Sequence, residues 1–232
     1  MDVAEICRVN LSAYTSALGI LDKSNAPFHV EWHRLLADNS IKRLLILAPR
    51  GHGKTDQLII GATWLIGNNP NIRMMLVGNA STQSEQLLRK ISAIIENNAV
   101  FRQIFPDVTP DTETWRDDQI IVKRSILHKD PTVTALGYDS KVVSRRADFI
   151  LIDDIIDQKV IMSPTLSRAV SDFYKTTLLP CLEPEGRICI LGTRWSYNDL
   201  YSDFLDGNEY LCKVYKAIQD DGSILWEEKF SS

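Results

Sequence analysis

Apolar positions along this chain change their spacing near residue 44. Over the first thirty-odd residues, Ile6, Val9, Leu11 and Tyr14 recur at helical intervals. Residues 23–27 read as a loop, and Phe28, Trp32, Leu35 and Leu36 resume helical spacing over 28–37. Beyond that, short unbroken apolar runs appear at 44–47 (LLIL), 73–77 (RMMLV), 149–152 (FILI) and 187–191 (RICIL). Helical spacing separates them, at 56–66, in a segment opening at Ser81 or Ser84, at 165–178 and at 199–205. The second of these carries a clean stripe of Leu87, Leu88, Ile91, Ile94 and Ile95, with either serine placed to cap it. Asn68-Asn69-Pro70-Asn71 stops the helix before it. Residues 105–116, rich in Pro and Asp, read as a loop, 120–122 and 132–136 as short strands, and Asp221-Gly222 as a hairpin turn.

Strands that are apolar throughout, rather than at every second position, are buried on both faces. The pattern therefore predicts an α/β fold, a parallel central sheet flanked by helices on both faces. We divide the chain into an N-terminal helical segment, 1–40, and a core, 41–232, with no internal repeat.

Composition adds little. The 232 residues suit one domain, and 44% hydrophobic with 24% charged residues is ordinary for a globular protein. A net charge of −4 argues against a broad basic surface that coats nucleic acid, though not against a local patch. No apolar run approaches the roughly 18–20 residues of a membrane span, so no membrane is expected as a partner. The N-terminus lacks the basic-then-apolar layout of a signal peptide. The four cysteines (Cys7, Cys181, Cys189, Cys212) form no CxxC pair and are expected as free thiols of a reducing cytoplasm.

Candidate chemistry begins at residues 48–55, APRGHGKT, between the first apolar run and a helix. A strand, a glycine-bearing turn and a helix N-terminus form a phosphate cradle: backbone N–H groups face the phosphate and the helix end adds partial positive charge. In this Walker A reading Ala48, Pro49, Arg50, Gly51, His52, Gly53, Lys54 and Thr55 bind ATP. Lys54 reaches the β- and γ-phosphates, and the Thr55 hydroxyl binds Mg²⁺. Ala48 stands where the pattern GxxxxGK(S/T) has its first glycine; Gly51 and Gly53 still supply backbone freedom. The plainer reading is a glycine-rich turn with Lys54 solvated.

Hydrolysis also needs a carboxylate at the tip of a neighbouring buried strand. Asp153 and Asp154 follow the run 149–152, a Walker B arrangement that makes Asp153 the Mg²⁺ ligand and Asp154 the candidate catalytic carboxylate that activates water. Motor ATPases commonly place Glu after the metal Asp. Asp154 is one methylene shorter, which keeps Glu183 and Glu185 as more distant candidates. The fourth apolar run leads into Gly192-Thr193-Arg194, where a polar residue can read the γ-phosphate.

The order APRGHGKT, RRADFILIDDIID, LLPCLEPEGRICILGTRWSYNDLY resembles the large terminase subunit of tailed bacteriophages, over roughly residues 28–230. The resemblance implies a P-loop NTPase of the ASCE, RecA-like type: an ATPase motor domain that translocates double-stranded viral DNA into a procapsid. It implies Arg50 as a catalytic arginine acting in its own subunit or the next, and Thr193, Arg194 and the segment through Asn198-Asp199-Leu200 as the coupling element. It also implies a portal protein and a small terminase subunit as partners, a homo-oligomeric ring (a pentamer on the capsid), and action in the cytoplasm of an infected bacterium, at the procapsid portal. The family carries a C-terminal RNase H-like nuclease domain. Since 232 residues leave no room for one, we expect no DNA cleavage by this polypeptide.

The family's adenine-contacting segment lies where Phe28, His29 and Trp32 stand, although a helix packed on the sheet explains them equally. Asn79 and Gln83 are weaker nucleotide contacts. Arg145 and Arg146 are candidates for DNA phosphates or an arginine finger, and Lys123, Arg124, Lys129 and Lys141 for a basic lining. Three other readings remain: a small-molecule P-loop kinase, a helicase-like ATPase, and a nucleotide-binding module that never turns over.

Overall fold

The computed structural model describes residues 2–142, 144–196 and 199–230. Asp2 and Glu5 close a capping box on helix α1 (Val3–Val9). Asn10 then ends α1 and its side chain caps α2 (Leu11–Leu18). That break corrects the first sequence expectation: Ile6 and Val9 belong to a different helix from Leu11 and Tyr14 and are exposed, while Cys7, Leu11, Tyr14 and Leu18 are buried. Pro27 opens α3 (Pro27–Ala37), its missing N–H costing nothing in a first turn.

The core alternates strand and helix: β1 (Arg43–Leu47), α4 (Lys54–Asn68), β2 (Met74–Gly78), α5 (Ser81–Asn97) and α6 (Ala99–Ile104). There follow β3 (Pro110–Trp115), β4 (Gln119–Val122), β5 (Val133–Gly137) and β6 (Ala147–Asp153). The remainder is α7 (Gln158–Met162), α8 (Pro164–Asp172), β7 (Leu182–Gly192), α9 (Leu200–Asp206) and β8 (Leu211–Val214). The strands form one sheet in the order β3-β4-β5-β2-β6-β7-β1-β8. All neighbours from β5 to β8 pair in parallel, and β3 and β4 add an antiparallel edge.

The unbroken apolar runs have the predicted cause. Leu44 and Ile46 of β1 join one buried cluster, with residues of α1 to α6, while Leu45 and Leu47 join a second, with residues of α7 to α9. Both faces are covered. All four cysteines are free thiols.

Several local expectations fail for identifiable reasons. Residues 110–115 form a strand, not a loop; as an edge strand β3 is only partly buried, so no apolar pattern marks it. Neither serine caps α5: Ala80 holds the N-cap position, and the buried Ser84 hydroxyl donates to Leu136 O instead. The short elements α6, α7 and β8 correspond to no element that the sequence pattern predicts. The helix of 165–178 becomes π-helical over Phe173–Leu178. At Asp221-Gly222 the chain does turn, with Gly222 at φ +85° and Ile218 bridging Ile224.

Candidate active site at the phosphate loop

Parallel strands β1, β7 and β6 end side by side, and their tips carry the loop, Thr193 and the paired acids. Gly51 and Gly53 adopt φ of +77° and +76°, left-handed values that cost an L side chain about 1 kcal/mol or more. They turn the chain sharply from β1 into α4, whose first residue is Lys54.

Lys54 is buried, and its ammonium donates to Ala48 O (3.0 Å), Pro49 O (3.1 Å) and Thr193 Oγ1 (2.9 Å). Desolvation lowers its pKa, against the charges of Asp154 and Asp153. Thr55 Oγ1 donates to Asp153 Oδ2 at 2.9 Å. Burial first, and the neighbouring Asp154 charge second, push the Asp153 carboxyl up to about 7. Its Oδ1 is buried without a hydrogen-bond partner.

A buried carboxyl with one unpartnered oxygen beside a threonine hydroxyl is a hard-oxygen donor set of the kind that suits a small divalent cation. Among the described residues no group of three or more His, Cys, Asp or Glu could hold a metal by itself. Thr55 and Asp153 therefore fit Mg²⁺, which keeps waters and phosphate oxygens among its ligands, better than a metal that needs an all-protein cage.

Asp154 adopts φ +43°, a left-handed value unusual for a non-glycine residue. Its N–H donates to Leu191 O (2.9 Å), and its Oδ1 accepts from Thr193 N–H (2.7 Å). Thr193 thus touches Lys54 through its hydroxyl and Asp154 through its backbone. The sheet order explains this and corrects one expectation: the strand bearing Asp153 is not beside β1, because β7 lies between them.

Arg50 places its guanidinium 4.9 Å over the Trp195 ring, tying the loop to the segment after β7. Arg194 is exposed, with Nε donating to Ser196 O. Asp199 caps α9, whereas Asn198 of the expected coupling segment lies outside the described residues.

Beneath the loop, Phe28 and Trp32 are 5% and 2% exposed and pack with His29, Tyr215 and Trp226. Neither lines the cavities beside the loop, so burial gives them a packing role in place of the expected adenine contact. His29 holds the loop directly. Its Nδ1 accepts from Ala26 N–H (3.0 Å), which fixes the proton on Nε2, and Nε2–H donates to His52 O (2.9 Å). His52 is buried, donates from Nδ1 to Arg50 O and stacks on Phe230.

The remaining candidates lie elsewhere. Glu183 pairs with Arg73 and Glu185 with Lys42, at the opposite end of β7 from Thr193, roughly 15–20 Å away, since Leu182 lies opposite Ala147, six residues below Asp153 on β6, at about 3.3 Å per residue. Neither can be the base. Arg145 and Arg146, just before β6, bond Thr134 Oγ1 and Pro180 O at that same far end. Arg124 staples its own loop through His128 O and Asp130 O, and Lys129 reaches Ser144 O; Lys123 and Lys141 are exposed. Asn79 donates to Ile155 O, bracing the turn after the paired acids, and Gln83 packs near Gly78.

Two adjoining cavities flank Gly53. One, of about 230 Å³, is lined by Arg50, Gly51, Lys54, Thr55, Asp154 and Lys229. The other, of about 200 Å³, is lined by Leu21, Asp22, Lys23, His29, Gln57 and Trp226. Nothing in the sequence predicts that Lys229, Trp226 and Trp195 contact the loop. Their contacts to the loop span well over a hundred residues, and nothing local announces such a contact.

No family model matches the chain. It is similar to the large terminase subunit of Enterobacteria phage T3, with 21% identity over 198 residues, 82% of this chain and 32% of that protein. It thus spans about a third of the length of the curated relative it matches. Among solved structures it is similar to the Thermus phage P74-26 large terminase ATPase domain (TM-score 0.56, 14% identity, 93% of this chain and 87% of that one). It is also similar to the HK97 bacteriophage large terminase (TM-score 0.56, 15% identity, 85% and 40%). A DEAD box protein from Methanococcus jannaschii shares the fold (TM-score 0.53, 10% identity, 90% and 54%). The chain therefore has the P-loop NTPase fold and resembles phage large terminases in both sequence and structure.

Proposed function

We propose that this chain is an ATP-hydrolysing motor domain that drives double-stranded DNA into a viral procapsid. The carrying observation is the meeting of Lys54, Thr55, Asp153, Asp154 and Thr193 at three adjacent strand tips, joined by hydrogen bonds of 2.7–2.9 Å.

ATP places its terminal phosphates in the cavity over the loop and its base toward the cavity beyond Gly53. Lys54 exchanges the carbonyls of Ala48 and Pro49 for phosphate oxygens, and the loop N–H groups and the α4 N-terminus stabilise the added charge. Thr55 and Asp153 would hold Mg²⁺, which neutralises phosphate charge when bound. Asp154, with one oxygen fixed by Thr193 N–H, orients and deprotonates the attacking water through the other. Arg50 leaves Trp195 to stabilise charge on the γ-phosphate, an effect worth about 10³ in rate for an arginine finger. Thr193 loses its bond from Lys54 as that ammonium turns to phosphate, so the occupancy of the site is passed to the segment of Arg194 and α9.

The resemblance to large terminases supports a ring of such subunits on a capsid portal, with a small terminase subunit, in the cytoplasm of an infected bacterium. Steady-state ATP hydrolysis tests the assignment. Lys54→Ala is expected to abolish turnover, and an unchanged rate would sink it.

A further inference from the structure

Residues 226–230, far along the chain from the loop, fold back as a strap over it. Trp226 is buried 4.7 Å from His29, and Phe230 stacks on His52 at 4.7 Å with the rings 20° apart. Between these two anchors, Lys229 Nζ donates to Gly51 O at 2.7 Å and lies 4.8 Å over the Trp226 ring. Among the described residues Lys229 makes no ion pair. An ammonium has three donors, and Gly51 O takes one.

Position decides what the others are for. Among the described residues only Gly53, Asp56 and Lys229 line both cavities, so Lys229 stands where the two meet. A nucleotide with terminal phosphates in one cavity and base in the other must thread its inner phosphates through that junction. Asp56, the other charged group there, repels them, and a cation opposite offsets it.

Resting on the nucleotide reading above, we propose that Lys229 is a phosphate ligand for the α- or β-phosphate, so that part of the nucleotide site is supplied by the strap. ADP affinity by calorimetry in Mg²⁺ buffer tests this, with Lys229→Met, Lys229→Arg, Lys229→Gln and Lys54→Ala beside the wild type. Lys229→Met keeps the apolar packing on Trp226 and removes the charge; it is expected to weaken ADP about tenfold, with Lys229→Gln alike and Lys229→Arg within a few-fold of wild type. Wild-type affinity in Lys229→Met overturns the proposal, as does equal weakening by Met and Arg, which would mark strap packing rather than charge. Lys54→Ala reports separately: if it binds ADP as tightly as wild type, the nucleotide reading itself fails.

Discussion

Acid should unfold this protein earlier than its surface charge suggests, because His29 is buried neutral. The ring is fully buried, and burial, the first cause, lowers its pKa to about 4. Geometry agrees: Nδ1 faces the Ala26 N–H, so a second ring proton would meet a donor and break that bond. In the unfolded chain the same group titrates near about 6.5. Between these values the unfolded state binds more protons than the folded one, so stability rises with pH there and is lost as pH falls from about 6.5 toward 4. With those two values, about 2 kcal/mol disappears between pH 8 and pH 5, approaching about 3 kcal/mol near pH 4. The assay is the urea midpoint and slope of the nucleotide-free protein at pH 8, 7, 6 and 5, for wild type and His29→Gln. Glutamine can still donate to His52 O but does not titrate. His33 and His52 are also lowered by burial and push the same way, but they are present in both proteins and cancel in the difference. His29→Gln should lose about 2 kcal/mol less than wild type over this range. Equal losses would refute the buried-neutral account.

Asp153 carries the opposite sign. Its pKa is raised to about 7, so stability is lost as pH rises from about 4 to 7 and stays lost above, and nucleotide-free Asp153→Asn should be more stable than wild type at pH 8, by about 1 kcal/mol or more in a thermal or urea melt, while losing Mg²⁺-dependent hydrolysis. A less stable variant would contradict this. Thr193→Ala removes the hydroxyl that holds Lys54 but keeps the N–H that holds Asp154; kcat should fall about tenfold or more while ATP still binds, and a loss confined to KM would argue against a sensing role. Arg50→Ala should cut hydrolysis by about 10³, and mixing it with wild type locates the arginine. Activity that falls only in proportion to the wild-type fraction means action within one subunit; recovery or poisoning by mixing means action across an interface.

Much of this site is legible because its parts are local. GKT is contiguous, and the acids directly follow a buried strand, so burial and turn chemistry mark them without knowledge of the rest. Sheet order is not local. That β7 lies between β1 and β6 depends on pairing across more than a hundred residues, and it is what puts Thr193 between Lys54 and Asp154. The aromatic residues misled for a related reason. Phe28 and Trp32 fit either a base-stacking or a packing role in sequence, and only the closure of Trp226 and Tyr215 over them decides it. Glu183 and Glu185, close to Thr193 in number, lie at the other end of β7, because the regularly paired stretch from Arg187 to Leu191 separates them from it. Ile6 and Val9 were misassigned through one residue, Asn10, which ends one helix and starts another.

The left-handed turn at Asp154 bears on how equivalence between residues is judged. A side chain's reach is its own length added to the direction its backbone gives it, and at this strand tip the backbone has been bent to aim a short acid back at β7. Extending that acid by one carbon, about 1.5 Å, would carry its oxygens past the Thr193 N–H they now meet at 2.7 Å. Glutamate at 154 would therefore be an unfamiliar residue in this protein rather than a restored one, and comparing letters at one column would miss what a torsion angle has already supplied.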